Sequence, residues 1–274
     1  MNKQEIGSMT AKGGFLNEKY ICEKFLNWKK DINAQQWLKV MGYNYEKIDS
    51  LNAIHIPVRI SLRTALSLGI TKEKYEETIR FKKADIQIRL EIKIKETLFL
   101  ENISLKKANK GAGFNQVDKR PVETYQGMWK FNEKISRWLK LFTGEINPKK
   151  YMEKINCLKL RDERRLFFSE IPENIKEELL KFFKDNKTII ICDILKGRGG
   201  LSADWFLVTE KDGEKISWIM KDINYVLNHY SQGEIELSPR GSLKIGRVLM
   251  QRKGGTPDPE SLQFKINPLS LFEG

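Results

Sequence analysis

Between Asp85 and Lys106 the sequence DIQIRLEIKIKETLFLENISLK leaves the backbone little choice. Ile86, Ile88, Leu90, Ile92 and Ile94 alternate with Asp85, Gln87, Arg89, Glu91, Lys93 and Lys95, and a strict period of two is the signature of a strand with one face on a core. A turn at Glu96-Thr97 returns the chain. The second strand then puts Phe99, Ile103 and Leu105 on the buried face and Leu98, Leu100, Asn102, Ser104 and Lys106 on the other. Counting back from that turn pairs Lys95 with Leu98 and Gln87 with Lys106. Asp85 and Lys106 become diagonal neighbours on one polar face, within reach of a shared phosphate or metal ion.

An Asp opening one strand and a lysine on the next, two residues after Ser104, is a layout used by metal-dependent phosphodiester nucleases. A hard cation such as Mg2+ takes carboxylate and carbonyl oxygens. A lysine beside it can orient a water or, as the neutral amine, deprotonate it, and its ammonium can offset charge on a phosphate. The same residues also describe a surface hairpin with a solvated face, and the hairpin alone leaves both readings open.

Charge narrows the class of partner. Lys and Arg number 49 against 36 Asp and Glu, a formal net charge of +13. No apolar run of membrane-spanning length and no basic amphipathic helix accompanies that charge, so the surplus points to nucleic acid rather than to a membrane, in a soluble, cytoplasmic protein. The three cysteines, Cys22, Cys157 and Cys192, are far apart in apolar settings and read as reduced core residues. The length of 274 residues suits one large domain.

Along the chain, Thr10 is a candidate N-cap for a helix to about Lys29, with Phe15, Ile21, Cys22, Phe25 and Leu26 on one arc. Glu18 falls in the middle of that arc. Its carboxylate either points at the edge of an active site, as a metal ligand or water contact, or pairs with a lysine. A second helix covers about Ala34–Met41. A strand-like run at Ala53–Ile60 holds His55, which reads as a packed or hydrogen-bonded imidazole, and a helical segment ends near Arg80. Residues 108–119 read as a loop, where Phe114, Asn115, Gln116 and Lys119 combine an aromatic wedge, two amides and a cation suited to bases and phosphates. Val122–Phe142 reads as one long helix, Glu173–Asn186 as another, Thr188–Leu195 as an apolar strand, Ala203–Glu210 and Ile216–Met220 as strands, and Ile223–Tyr230 as a helix. His229 sits near that last helix's C-terminal end, where the helix dipole accounts for it.

Three segments pair arginine with glycine: Gly197-Arg198-Gly199-Gly200, Pro239-Arg240-Gly241-Ser242 and Gln251-Arg252-Lys253-Gly254-Gly255. Glycine permits close backbone approach and arginine grips phosphate or guanine. Ordinary hairpin turns would look similar singly. Three of them in so basic a chain, separated by apolar strands, favour a DNA-facing surface across residues 188–265.

The stretches TAKGGFLNEK, GFNQVDK, YQGMWKF, FTGE, DILKGRGG, INYVLNHY, SPRGS, GRV, QRKGG and LQFKINPLSLF, in this order from about residue 7 to 272, resemble the small type II restriction endonucleases of the Hin-P-one-I group, which belong to the PD-(D/E)XK nuclease superfamily and cut GCGC. Residues of about 53–83 and 146–160 differ. The resemblance implies a mixed α/β fold, a central β-sheet flanked by helices, and Mg2+-dependent hydrolysis of double-stranded DNA at a short GC-rich palindrome leaving 5′-phosphates, with Mn2+ as a substitute. It implies Asp85 as metal ligand and Lys106 as catalytic lysine. Ser104 stands where this group has Gln and the superfamily Glu or Asp, which raises the weight on Glu18 and Asn102. Phe114, Asn115 and Gln116 are implied at the central base pairs, and the region from Arg240 through Ser242, Arg247, Gln251 and Arg252 to Lys253 at base edges. A cognate DNA methyltransferase would be a functional partner without a stable complex, and a monomer or homodimer would meet the palindrome. A binder that has lost cleavage, or a structure-specific repair nuclease of the same fold, is the competing expectation.

Overall fold

The computed structural model of the chain describes residues 3–92, 97–111, 113–154, 163–213, 215–238, 241–252 and 260–273. The alternating segment forms β2 (Ile86–Ile92), and the returning segment forms β3 (Thr97–Asn109). Their pairing is antiparallel, but Gln87 lies opposite Asn102, not Lys106, and among the described residues the ladder runs to Ile92 opposite Thr97. The register therefore differs by four residues from the one counted back from Glu96-Thr97. The expected turn and the pairing of Lys95 fall on residues 93–96, which lie outside the described ones. A shift by an even number leaves every side chain on its own face. Asp85 and Lys106 accordingly stay on one face, and Asp85 now comes opposite Ser104.

Beyond the hairpin, β3 pairs in parallel with β5 (Trp205–Asp212), which returns through β6 (Lys215–Asp222). On the other side β2 pairs with β1 (Ile48–His55), giving a five-stranded mixed sheet in the order β1-β2-β3-β5-β6. A parallel pair cannot be joined by a tight turn. The connection from β3 to β5 is long, and it contains most of the second of two compact units into which the chain divides: Met1–Gly113, Leu195–Leu227 and Pro268–Gly274 form one, Phe114–Ile194 and Asn228–Asn267 the other.

In the first unit, α1 (Lys3–Leu26) and α2 (Ile32–Val40) cover one face of this sheet. Ile21, Cys22, Phe25, Trp28, Trp37 and Leu38 pack there on Ile86, Ile88, Ile103, Leu105 and Leu207. Phe15 and Leu26, expected on the same arc, are 44% and 49% exposed; Phe99 is also mostly outside the core, its ring edge-on to Tyr43. Asp31 caps α2 by accepting from the Ala34 amide at 2.9 Å. The run containing His55 is strand only up to that residue; α3 (Leu62–Ser67) and α4 (Tyr75–Phe81) follow as two short helices.

The end of the hairpin's polar face nearest Asp85 is not solvated. Gln87, Asn102 and Ser104 are buried, and they are satisfied as burial requires: Gln87 Nε2 donates to Asn102 Oδ1, Asn102 Nδ2 to Gly200 O, and Arg89 Nε to Gln87 Oε1, each at 3.1 Å. Ile56, Ile60, Ala65, Leu68, Ile70, Ala84 and Leu201 form a second apolar cluster in this unit.

The second unit is built on an antiparallel sheet, β4 (Asn115–Arg120), β10 (Leu262–Ile266), β9 (Val248–Arg252), β8 (Leu243–Ile245) and β7 (Ile235–Leu237) in that order. The segment read as a 108–119 loop is mostly strand, since β3 runs to Asn109 and β4 begins at Asn115. The single long helix over Val122–Phe142 is two, α5 (Val122–Trp129) and α6 (Glu133–Thr143), broken where Lys130 adopts a left-handed conformation, φ 57°. Asn132 then caps α6, accepting from the Ile135 amide at 2.8 Å. After α7 (Glu173–Asp185) the apolar run read as a strand is a helix, α8 (Lys187–Leu195). An apolar run of that length suits a buried helix as well as a buried strand. Tyr125 stacks on Trp129 at 4.8 Å and both rings meet Phe264, while Trp129 Nε1 donates to the buried Asp193 at 3.0 Å. A last helix, α9 (Ile223–Ser231), carries in its last turn His229, which is buried with the Arg247 guanidinium 3.1 Å from its ring.

Candidate active site

Asp85 sits where the chain enters β2. Its amide donates to Ile103 O and its carbonyl accepts from Ile56 N, both at 2.9 Å, so its backbone is pinned between β1 and β3. Its carboxylate turns toward β3: Oδ2 accepts from the Leu105 amide at 2.6 Å, lies 3.3 Å from Ser104 Oγ and 4.0 Å from Lys106 Nζ. The segment just upstream is gripped by the Gly-Arg-Gly-Gly turn. The amides of Lys83 and Ala84 both donate to Leu201 O at 3.0 Å, and Arg198 N donates to Phe81 O at 3.3 Å. Gly197 has φ +75°, and a Cβ there would fall 1.9 Å from Phe81 O, so no other residue allows this approach.

Glu18, from α1, belongs to the same cluster. Its Oε2 is 2.8 Å from Nε2 of His55, the last residue of β1. Burial, and after it the negative charge of Asp85, pushes the Glu18 carboxyl up, while His55 and Lys106 act the other way. Lys82 also feels both carboxylates: burial pushes its ammonium down, the charges of Asp85 and Glu18 oppose that, and its Nζ donates to Pro57 O at 2.6 Å. Asp85, Ser104, Lys106 and Glu18, separated in sequence, are thus neighbours. His55, read as a packed imidazole, and Lys82 complete the group. The only signal for Lys82 was its place three residues before Asp85; His55 had none beyond being a histidine in an apolar strand.

Two carboxylates close enough for one to disfavour ionisation of the other form a place where a cation lowers the energy. No set of three His, Cys, Asp or Glu able to hold a metal exists among the described residues. Asp85 and Glu18 fit Mg2+, which keeps several waters and is held by one or two carboxylates; they do not fit a zinc ion, which wants four closely placed ligands.

The sequence model of the R.HinP1I restriction endonuclease family matches residues 73–272, well over half of the chain. The chain belongs to that family. It is a type II site-specific deoxyribonuclease, and enzymes of this kind generally use divalent metal ions. The crystal structure of restriction endonuclease MspI in complex with its cognate DNA superposes with a TM-score of 0.58 at 13% identity, covering 97% of this chain and 93% of that one, a likeness of fold. No curated protein matches. Asp85, Ser104 and Lys106 lie inside the family match; Glu18 and His55 precede it.

The residues expected to meet DNA fall into three kinds of setting in the enzyme. Phe114, 52% exposed, precedes β4, and Asn115, Gln116 and Lys119 lie on that strand. Gln116 Oε1 accepts from Gln263 Nε2 at 2.5 Å, and Gln263 in turn lies opposite Gln251 on β9. Gln263 was missed because LQFKI reads only as an alternating strand. Arg198 and Arg252 are held by their own units: Arg198 lies 4.4 Å from the Phe81 ring centroid, and Arg252 lies 3.9 Å from that of Phe167 and donates to Leu166 O. Ser242 closes the turn that holds Gly241, its amide donating to Ser238 Oγ at 3.0 Å, and Arg247 is engaged with His229. Arg240 and Lys253 lie outside the described residues. No helix among the described residues is long and apolar enough to cross a membrane.

Proposed function

We propose that the enzyme hydrolyses both strands of duplex DNA at a short GC-rich palindrome, with GCGC the first candidate, using Mg2+ with Mn2+ as a substitute and leaving 5′-phosphates. The observation that carries this reading is the Asp85–Lys106 approach of 4.0 Å across adjoining strands, with Glu18 coupled electrostatically to both, in a chain of this family. Asp85 and Glu18 hold the divalent ion, which when bound supplies positive charge to the scissile phosphate and its attacking water. Lys106 orients that water and offsets charge on the phosphate with its ammonium, the water's proton leaving to solvent. The Leu105 amide fixes the Asp85 carboxylate with Ser104 supplementing it, and Lys82 adds a second positive charge. Phe114, Asn115, Gln116, Lys119, Ser242, Arg247 and Gln251 contact the DNA, as do Arg240 and Lys253; Arg198 is braced within the first unit and Arg252 within the second. MspI is seen with its cognate DNA, and the same class of ligand is proposed here. A DNA methyltransferase of the same specificity would protect the host without binding the enzyme, which acts as a monomer or homodimer.

Incubation with plasmid DNA and Mg2+, followed by sequencing of the cut ends, tests the proposal. Discrete fragments sharing one palindromic end support it. Asp85→Asn and Lys106→Ala each abolish cutting and keep sequence-specific binding. A mobility shift without cutting would make the protein a binder, the reading that the neutral Ser104 favours, and cutting confined to junctions would make it a repair nuclease.

A further inference from the structure

We propose that His55 is a positioning residue of this site: its imidazole holds the Glu18 carboxylate beside Asp85 and so sets the affinity for the divalent ion. The inference rests on reading Asp85 and Glu18 as the metal ligands.

Glu18 has every physical reason to leave. Its side chain is among those that lose the most rotamer freedom when fixed, and its carboxylate is disfavoured by both burial and the charge of Asp85. A helical glutamate this close to the surface could turn to water, yet Glu18 stays, its side chain 23% exposed, with Oε2 2.8 Å from His55 Nε2. The imidazole is itself fixed. It ends β1, whose pairing with β2 places His55 opposite Ile86, the residue after Asp85. The Phe15 ring, three residues before Glu18 on α1, stands edge-on to it at 5.1 Å and 88°. With Nε2–H donating to Oε2, the Glu18 carboxylate keeps its second oxygen for a cation. Carboxylate ligands held by such outer partners lose about 10–100-fold in metal affinity when the partner is removed. The alternative is that the pair merely fastens α1 to β1.

Direct titration of the full-length protein with Mn2+, followed by electron paramagnetic resonance of the free ion, separates the two. His55→Ala raises the Mn2+ Kd about tenfold or more, and the Mg2+ concentration needed for half-maximal cleavage rises by a similar factor. His55→Gln, whose amide N–H can reach the same oxygen, restores the Kd. In a Glu18→Gln background His55→Ala changes nothing further, since a residue acting through another is not additive with it. Where the alanine variant fails to fold, His55→Asn, whose amide falls short of Glu18, takes its place with the same expectation. An unchanged Kd in the His55 variant, or additive effects in the double variant, overturns the inference and leaves the metal site standing. A wild type that binds no Mn2+, or an Asp85→Asn variant that binds it equally well, overturns the metal-site reading and this inference with it.

Discussion

At Asp85 two donors compete for one carboxylate oxygen, and their distances rank them. The Leu105 amide lies at 2.6 Å and the Ser104 hydroxyl at 3.3 Å, beyond the usual range for an O–H···O bond. Backbone therefore fixes the carboxylate, and the serine supplements it. Ser104→Ala should reduce kcat/KM by less than about tenfold, or about 1.4 kcal/mol; a loss of a hundredfold or more in single-turnover cleavage would give Ser104 a direct part in the chemistry. Gly197 behaves in the opposite way, remote from the chemistry but without slack. Its positive φ and a Cβ position 1.9 Å from Phe81 O combine backbone strain with a clash against main chain, so Gly197→Ala should cost about 3 kcal/mol or more in urea denaturation. The displaced 81–84 segment would carry Asp85 with it. A variant with wild-type stability and activity would show that the turn is pliable.

The elements differ in how openly the sequence announced them. The hairpin was legible in its faces, because period two is a local property, but not in its register, because a slip by an even number of residues leaves that period unchanged. The juxtaposition of Asp85 and Lys106 survived the four-residue error since only parity was needed. Glu18 was legible as a charge among apolar residues, though Phe15 and Leu26 turned out to flank the core. The break between α5 and α6 was hidden: Lys130 is neither Gly nor Pro, and apolar residues continue on both sides of it. Long-range neighbours such as His55 and Gln263 were invisible for a further reason, since α1 meets β1 and β4 meets β10 only in the folded chain. Lys130 offers a test at this scale. A left-handed non-glycine residue costs about 1–2 kcal/mol, and glycine is favoured just past a helix end. The backbone entropy of glycine takes back part of that gain. Lys130→Gly should therefore stabilise the protein by up to about 1 kcal/mol, read as a higher urea midpoint at constant slope; a lower midpoint would mean that the lysine side chain contributes more than its backbone costs.

For the whole molecule, the charge surplus decides how DNA is held. Even if every one of the 36 acidic side chains paired with a base, 13 of the 49 lysines and arginines would remain over. Each phosphate neutralised by such a group releases condensed counterions and steepens the dependence of log K on log salt by about 0.9. A duplex bound through about six to ten phosphate contacts should then give a slope of about −5 to −9. The exposed Lys119 and the enclosed Arg252 should divide this effect. Lys119→Ala lowers the slope by about one while leaving the unfolding midpoint unchanged. Arg252→Ala, by contrast, removes a guanidinium stacked between Phe167 and Phe142 and bonded to Leu166 O, and should destabilise the fold by about 2 kcal/mol, since truncating a packed arginine leaves a carbonyl unpaired and rings uncovered. Fluorescence anisotropy of a labelled duplex over a salt series, with urea denaturation of the same two variants, measures both quantities. If Arg252→Ala kept full stability and lost the salt slope while Lys119→Ala did neither, the enclosed arginine would be the phosphate contact and the exposed lysine a bystander.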